Sequence, residues 1–159
     1  MKLNLKTIII LSTIIYLSLA PFTYHPDTKL TLYYGSFIKQ KVFHIYNYLD
    51  RIDQPFPAFH YPPLNYYLLG AEYLLISPLA GSGFQDWITT NSTEAASVPH
   101  AARFNLLAKL PLIAALLLSG YLIYKLMLDN LKTSENQANL ATTFWLLKKF
   151  NDHVKNTPF

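Results

Sequence analysis

Residues 104–128 read FNLLAKLPLIAALLLSGYLIYKLML, and this stretch decides the fold class. A helix rising about 1.5 Å per residue over this length crosses the roughly 30 Å core of a bilayer. Lys109 and Pro111 fall in the first turns, where a long side chain can extend to the headgroups and proline costs little. We therefore predict a transmembrane helix over residues 104–128.

The N-terminal stretch predicts another membrane helix. Lys6 precedes an uncharged run from Thr7 to Phe22, which is short for a bilayer core but is extended by the lysine side chain. A basic start before an apolar run is also typical of a cleaved signal peptide, and Ser18-Leu19-Ala20 would be the cleavage site. Because Pro21 is poorly suited to follow the cut, we favour a retained helix over residues 1–22.

Lysines that flank the two predicted spans give the orientation. They lie before the first span and after the second: Lys2, Lys6, Lys125 and Lys132. Cytoplasmic loops are enriched in lysine and arginine. Both flanks are therefore predicted to be cytoplasmic, and residues 23–103 form a long loop on the other side.

The composition of the whole chain agrees with a membrane protein. Charged residues are 14% of the 159 residues and hydrophobic residues are 52%, whereas a soluble domain carries about 25% charged residues. The net charge of +4 is scattered along the chain, without the basic block typical of nucleic-acid binding. The chain has no cysteine, which excludes disulfides, thiolate metal sites and a cysteine nucleophile.

A further apolar stretch, Leu64 to Ala80, lies inside the predicted loop. Glu72 near its middle would cost about 2.5 to 3.5 kcal/mol at the centre of a bilayer, so we predict an interfacial helix in preference to a third span. Pro62-Pro63 and Ser77-Pro78 give this helix its start and its end. The small, polar residues 81–99 then predict a mobile loop.

The C-terminal residues 129–159 contain another apolar start. Asn139 to Leu147 is apolar and carries aromatic residues, and Lys148 begins an abrupt change to polar residues. Nine residues are too few to cross a membrane. We favour a cytoplasmic loop followed by an incomplete third span over a short amphipathic tail.

Three short clusters near the predicted membrane boundaries carry the candidate chemistry. They are His25-Pro26-Asp27, Phe59 to Leu64, and Ala102 to Asn105. A carboxylate at Asp27 could act as a general base toward a hydroxyl, but from this residue alone we favour an ordinary solvated aspartate. Arg103 could extend to the headgroups or hold a phosphate. The histidines lack the spacing of a metal site.

In their order along the chain, these features resemble the multispan glycosyltransferases of the GT-C type, which use polyprenyl-phosphate sugars. The features are a first span followed by an aspartate, the element Phe59-His60-Tyr61-Pro62-Pro63-Leu64, and Arg103 leading into the second span. The nearest likeness is to the glucosyltransferases of N-glycan assembly and to related prokaryotic enzymes. The resemblance covers roughly residues 5 to 147.

The resemblance implies roles for individual residues. Asp27 would be the catalytic base, and substrate contacts would come from His25, Tyr61 and Arg103. Residues 33–37 would belong to a first surface helix and residues 63–77 to a second. No residue cluster demands a cofactor or a metal ion.

By this resemblance the chain is the N-terminal part of a glycosyltransferase in a prokaryotic plasma membrane or an endoplasmic reticulum membrane. Its partners would be membrane lipid, a polyprenyl-phosphate-linked sugar and a missing C-terminal part. We expect the short chain alone to be inactive, because two spans cannot enclose the donor. The alternative is a small membrane anchor or interaction subunit. A transporter fragment fits less well, because only Lys109 is charged within a span.

Overall fold

The computed structural model describes residues 4–23, 26–39, 47, 51, 63–90 and 94–155. For Pro26, Asp27, Lys39, Pro63, Asn65 and residues 150–155 it describes the backbone only. Over this part of the chain the regular elements are helices, which confirms the predicted all-helical class.

Six α-helices have both of their ends within the described residues. They are α1 (Leu5–Leu19), α2 (Pro26–Ser36), α3 (Pro63–Ala80), α4 (Phe84–Thr89), α5 (Ala101–Lys125) and α6 (Glu135–Lys155). Short 3-10 turns cover Phe37–Lys39 and Ala95–Ser97, and a π-helical turn, Leu126–Asn130, extends α5.

Among the described residues, one helix is long and apolar enough to cross a membrane. It runs from Ala101 to Asn130, and 22% of its most apolar window is buried, whereas the core helix of a soluble protein is mostly buried. It begins three residues before the predicted boundary. The other predicted span, α1, has 15 residues, or about 22 Å, so it is shorter than a bilayer core.

The chain divides into two compact units. The first unit contains Met1–Tyr24 and Lys109–Phe159, and the second contains His25–Ala108. The long helix α5 therefore contributes its first eight residues to the second unit and the remainder to the first.

In the first unit, α5 and α6 are joined by a short connection and contact each other. The Trp145 indole N–H donates to the Ser119 hydroxyl at 3.0 Å, and a Cβ atom added to Gly120 would lie 3.1 Å from the Leu146 side chain. The absence of a side chain at Gly120 therefore allows α6 to approach closely. The predicted third apolar helix forms, but it continues through the polar residues beyond Leu147 to Lys155.

Helix α1 packs on α6 in the same unit. The Asn4 side chain caps the start of α1 by accepting a 2.9 Å hydrogen bond from the Thr7 N–H, which satisfies one of the unpaired donors of a first turn. Near the other end, the Tyr16 hydroxyl donates to the Leu146 carbonyl oxygen. Three helices thus enclose a common interior.

In the second unit, α2 and α3 pack through glycines. A Cβ atom at Gly35 would collide with the backbone carbonyl group of Leu69, and one at Gly70 would lie 2.5 Å from the Ile38 side chain. The absence of a side chain at Gly35 lets α2 approach the backbone of α3, and the absence of one at Gly70 makes room for the Ile38 side chain in the turn after α2. The interior also contains Tyr34 and Tyr66, whose rings meet edge to face.

The predicted mobile loop over residues 81–99 is wrong, because part of this segment is a packed helix. Phe84, Trp87 and Ile88 of α4 are all buried. Phe84 stacks on Trp87, and both rings contact Phe104. Spacing of three and four residues places these side chains on one face of the helix, and their apolar area outweighs the effect of the neighbouring small residues.

Candidate functional site

The best catalytic candidate from the sequence, Asp27, is the second residue of α2. The first turn of a helix has backbone N–H groups without helical partners and favours negative charge. Its backbone position is fixed by the packing of α2 against α3. The backbone at Asp27 therefore lies at the start of a packed helix.

Of the other predicted site residues, Arg103 is the one that the structure describes. His25 and Tyr61 lie outside the described residues. Arg103, in the first turn of α5, donates a hydrogen bond from Nη2 to the Leu79 carbonyl oxygen at 2.6 Å. Leu79 lies in the last turn of α3, where carbonyl groups lack helical partners. Arg103 therefore has a structural contact that the sequence analysis did not predict.

Helix α3 has two apolar faces. The buried face packs inside the second unit and contains Tyr66, Gly70, Tyr73, Ile76 and Ala80. The opposite face is exposed by 61% or more at each of four leucines, Leu64, Leu68, Leu75 and Leu79. Exposed leucines in one stripe indicate a surface for lipid or for a partner. Glu72 is partly buried on this helix, and burial raises its pKa.

Lys29 of α2 is a buried cation in the same unit. Its side chain is 1% exposed, and burial lowers the pKa of Lys29 to about 8. The sequence from Thr28 to Leu32 did not indicate that the Lys29 side chain is buried, because lysine is rarely buried in proteins. Lys29 lies two residues from Asp27, so the two residues do not share a face of the helix.

Lys109 is a second buried lysine, in the first unit. It is 1% exposed, and its Nζ donates to the Thr23 hydroxyl at 2.9 Å and to the Ala20 carbonyl oxygen at 3.4 Å. Ala20 is the C-cap of α1, and the end of a helix favours positive charge. The sequence analysis expected Lys109 to extend to the headgroups, whereas the ammonium group is held against the end of α1.

A cavity of about 150 Å³ lies beside Lys109. Its lining residues come from α1 and the segment after it, from α5 and from α6: Tyr16, Leu19, Ala20, Thr23, Lys109, Leu112, Ile113, Leu116 and Lys149. The lining is mostly apolar, it carries two lysines, and none of its nine residues has a carboxylate. The Lys149 ammonium also lies 5.1 Å from the centre of the Trp145 ring.

This cavity was missed by the sequence analysis. The signal that could have found it is Lys109 inside an apolar run, since a charge within a membrane segment faces a protein interior or an ion pathway. Lys149 had no such signal, because it is one of several polar residues after Leu147.

Within the described residues, no group of three histidine, cysteine or acidic residues is placed to hold a metal ion. No family model, no curated protein and no solved structure matches this chain.

Proposed function

We propose that this chain is the N-terminal membrane part of a GT-C type glycosyltransferase, which moves a sugar from a polyprenyl-phosphate donor to an acceptor hydroxyl at the outer membrane surface. In this proposal α1 and α5 cross the membrane, α6 is the incomplete third span and enters the membrane from the cytoplasmic side, and residues 23–103 lie on the non-cytoplasmic side. The proposal rests on the resemblance of the sequence motifs and on one structural observation.

That observation is the helix pair in the loop. The resemblance places a first surface helix around residues 33–37 and a second over residues 63–77. Helices α2 and α3 form at these positions and pack against each other. Asp27, the residue that corresponds to the family's base, lies in the first turn of α2. The positions and the packing of these two helices agree with the arrangement that the resemblance implies, and this agreement supports the proposal.

The exposed surfaces support membrane placement. Helix α1 exposes Ile10, Leu11 and Ile14 by 46% or more, so it has apolar residues around its circumference. Phe22, three residues after α1, is 80% exposed and lengthens the apolar surface. Lys6 at the start can extend toward headgroups. A helix of about 22 Å flanked in this way is compatible with a bilayer that thins locally.

The proposed reaction needs one proton acceptor. The Asp27 carboxylate takes the proton of the acceptor hydroxyl while the hydroxyl oxygen forms a bond to the anomeric carbon. The bond from that carbon to the phosphate oxygen breaks, and polyprenyl phosphate leaves with the bonding electrons. Attack opposite to the leaving group inverts the anomeric centre. A positioned base contributes about 10²- to 10⁴-fold to such a rate.

The experiment that tests the proposal starts from the DNA that follows the codon for Phe159. It is translated in three frames, and any polypeptide with further apolar spans is produced together with this chain in membranes. We expect transfer of glucose from polyprenyl-phosphate glucose to an endogenous acceptor. Replacing Asp27 by Asn should lower the rate by about 100-fold or more, because the amide cannot accept the proton.

Two results would count against the proposal. One is an unrelated downstream neighbour together with no transfer, which would favour the membrane anchor or interaction subunit. The other is transfer that is unchanged when Asp27 is replaced by Asn. A second acidic residue of the loop, replaced in the same way as Asp86→Asn, serves as the control and should leave transfer unchanged, since Asp86 lies in α4 and not in the motif.

A further inference from the structure

We infer that the cavity in the first unit binds an anionic phospholipid, which is a resident lipid and not the sugar donor. Lys109 and Lys149 would hold the phosphate, and the apolar wall of Leu112, Ile113 and Leu116 would hold the first part of an acyl chain. This inference rests on the membrane placement in the proposed function and does not depend on sugar transfer.

The charged side chains that line the cavity favour an anion. The nine lining residues carry two ammonium groups and no carboxylate. The two oxygens that accept from Lys109 Nζ, on Thr23 and Ala20, are both uncharged. A buried charge without a counter-ion costs several kcal/mol. A phosphate that carries net negative charge in the cavity would offset this cost for the buried Lys109, and it would also attract the exposed Lys149 ammonium.

The volume and the lining of the cavity favour an amphiphilic ligand. An apolar cavity of about 150 Å³ is large enough to hold a benzene-sized group, and this cavity has about that volume. A few methylene groups of an acyl chain have similar bulk. The lining is divided between apolar side chains, among them leucines and an isoleucine of α5, and two lysines, one on α5 and the other on α6. An amphiphile matches this division better than a small soluble anion.

The position of Lys109 along the helices places it at the level of lipid headgroups. Lys109 is bonded to residues at the end of α1 and just after it, which is the non-cytoplasmic end of that helix in the proposed topology. Lipid phosphates lie at this level of a bilayer. The cavity therefore presents its cations where a phospholipid headgroup is available, with the apolar wall toward the membrane interior.

The test is lipid competition. The purified chain is incorporated in bilayer discs that contain equal amounts of phosphatidylglycerol and phosphatidylcholine, and the lipids that remain bound are counted by native mass spectrometry. We expect phosphatidylglycerol to be retained about tenfold over phosphatidylcholine, because only the former carries net negative charge. Equal retention of the two lipids would overturn the inference.

Matched lysine variants locate the site. Lys149→Met should remove most of the preference, while Lys148→Met should keep it, since the exposed Lys148 does not line the cavity. Lys149 is itself exposed, so its replacement leaves the fold intact. Lys109→Met should remove the preference as well. If Lys148→Met and Lys149→Met behave alike, the lipid is held by general surface charge and the inference fails.

Adding a third lipid, polyprenyl phosphate, tests whether the cavity binds a phospholipid or the lipid part of the sugar donor. Polyprenyl phosphate added at an equal concentration should not displace phosphatidylglycerol from the wild-type chain. Displacement would reassign the cavity to the sugar donor and overturn the inference, while the transfer assay on Asp27 would still decide the proposed function.

Discussion

The Tyr16 hydroxyl on α1 donates a buried 2.7 Å hydrogen bond to the Leu146 carbonyl oxygen on α6, across 130 residues of sequence. Tyr16 is 7% exposed and Leu146 is 1% exposed. Leu146 also packs against Gly120 of α5. The contact therefore ties α1 to α6 at a residue of α6 that also packs against α5.

Replacing Tyr16 by Phe tests this contact. The ring remains, and the hydrogen bond is lost, so we expect a cost of about 0.6 to 1.5 kcal/mol in the free energy of unfolding. Thermal unfolding in detergent micelles measures it. Tyr121→Phe is the matched control, since Tyr121 is 44% exposed. Equal midpoints for the two variants would show that the Tyr16 bond does not form.

Gly35 gives a prediction whose sign is unusual. Replacing a helical glycine by alanine normally stabilises a protein by about 0.5 to 1 kcal/mol. At Gly35 the added Cβ would collide with the Leu69 carbonyl group, so we expect Gly35→Ala to destabilise the second unit by more than about 2 kcal/mol.

The readout for the second unit is the fluorescence of Trp87, which is 1% exposed. The chain has two tryptophans, so Trp145→Phe leaves Trp87 as the sole reporter. Ala71→Gly on the exposed side of α3 should cost about 1 kcal/mol, which is the ordinary propensity effect. A stabilised Gly35→Ala chain would refute the close packing of α2 and α3.

The buried Lys29 predicts a dependence of stability on pH. Its pKa is about 8 in the folded chain, below the unfolded value of about 10.4. Between these values the unfolded chain binds more protons, so the free energy of unfolding rises with pH, by about 2 kcal/mol between about pH 8 and pH 9.5. Below about pH 8 the penalty is constant.

Unfolding followed by Trp87 fluorescence across this pH range tests the prediction. The rise should disappear in Lys29→Met and persist in Lys148→Met, since Lys148 is exposed. If the wild-type chain and Lys29→Met share the same pH profile, the Lys29 ammonium is solvated and its side chain is not buried.

Two variants of Arg103 test whether this residue has only a structural role or also binds substrate. Arg103→Lys keeps one donor for the Leu79 carbonyl oxygen but cannot hold a phosphate with two parallel bonds. We expect its unfolding midpoint to stay near wild type, whereas Arg103→Ala should cost about 0.5 to 1.5 kcal/mol. In the transfer assay Arg103→Lys should be slower than wild type. Wild-type transfer by Arg103→Lys would limit Arg103 to its contact with α3.

Several elements could be predicted because their signals are local. The long apolar run predicts α5, and the prolines before Leu64 predict the start of α3, which is observed at Pro63. The all-helical class follows from the same runs. These signals depend on residues within one helix, so a single sequence suffices to find them.

Contacts between distant residues could not be predicted in this way. Gly81-Ser82-Gly83 and the small polar residues after it predict a loop where α4 forms. The helix packs because the ring of Phe84 contacts Tyr73 and Phe104, which lie on other helices. The Lys109 site depends on the end of α1, 86 residues away from Lys109 in the bond to Thr23. The pairing of such residues is set by the tertiary fold.

The chain has no cysteine, so the membrane topology can be measured directly with single cysteines introduced by mutation. Single cysteines are placed at Ser82, Asn136 and Ala115, which are exposed on the protein surface, and sealed membranes are treated with an impermeant maleimide. We predict labelling at position 82 from the non-cytoplasmic side, labelling at 136 only after permeabilisation, and labelling at 115 only after denaturation. Labelling of the cysteine at 115 in sealed membranes as fast as the one at 82 would contradict a transmembrane α5.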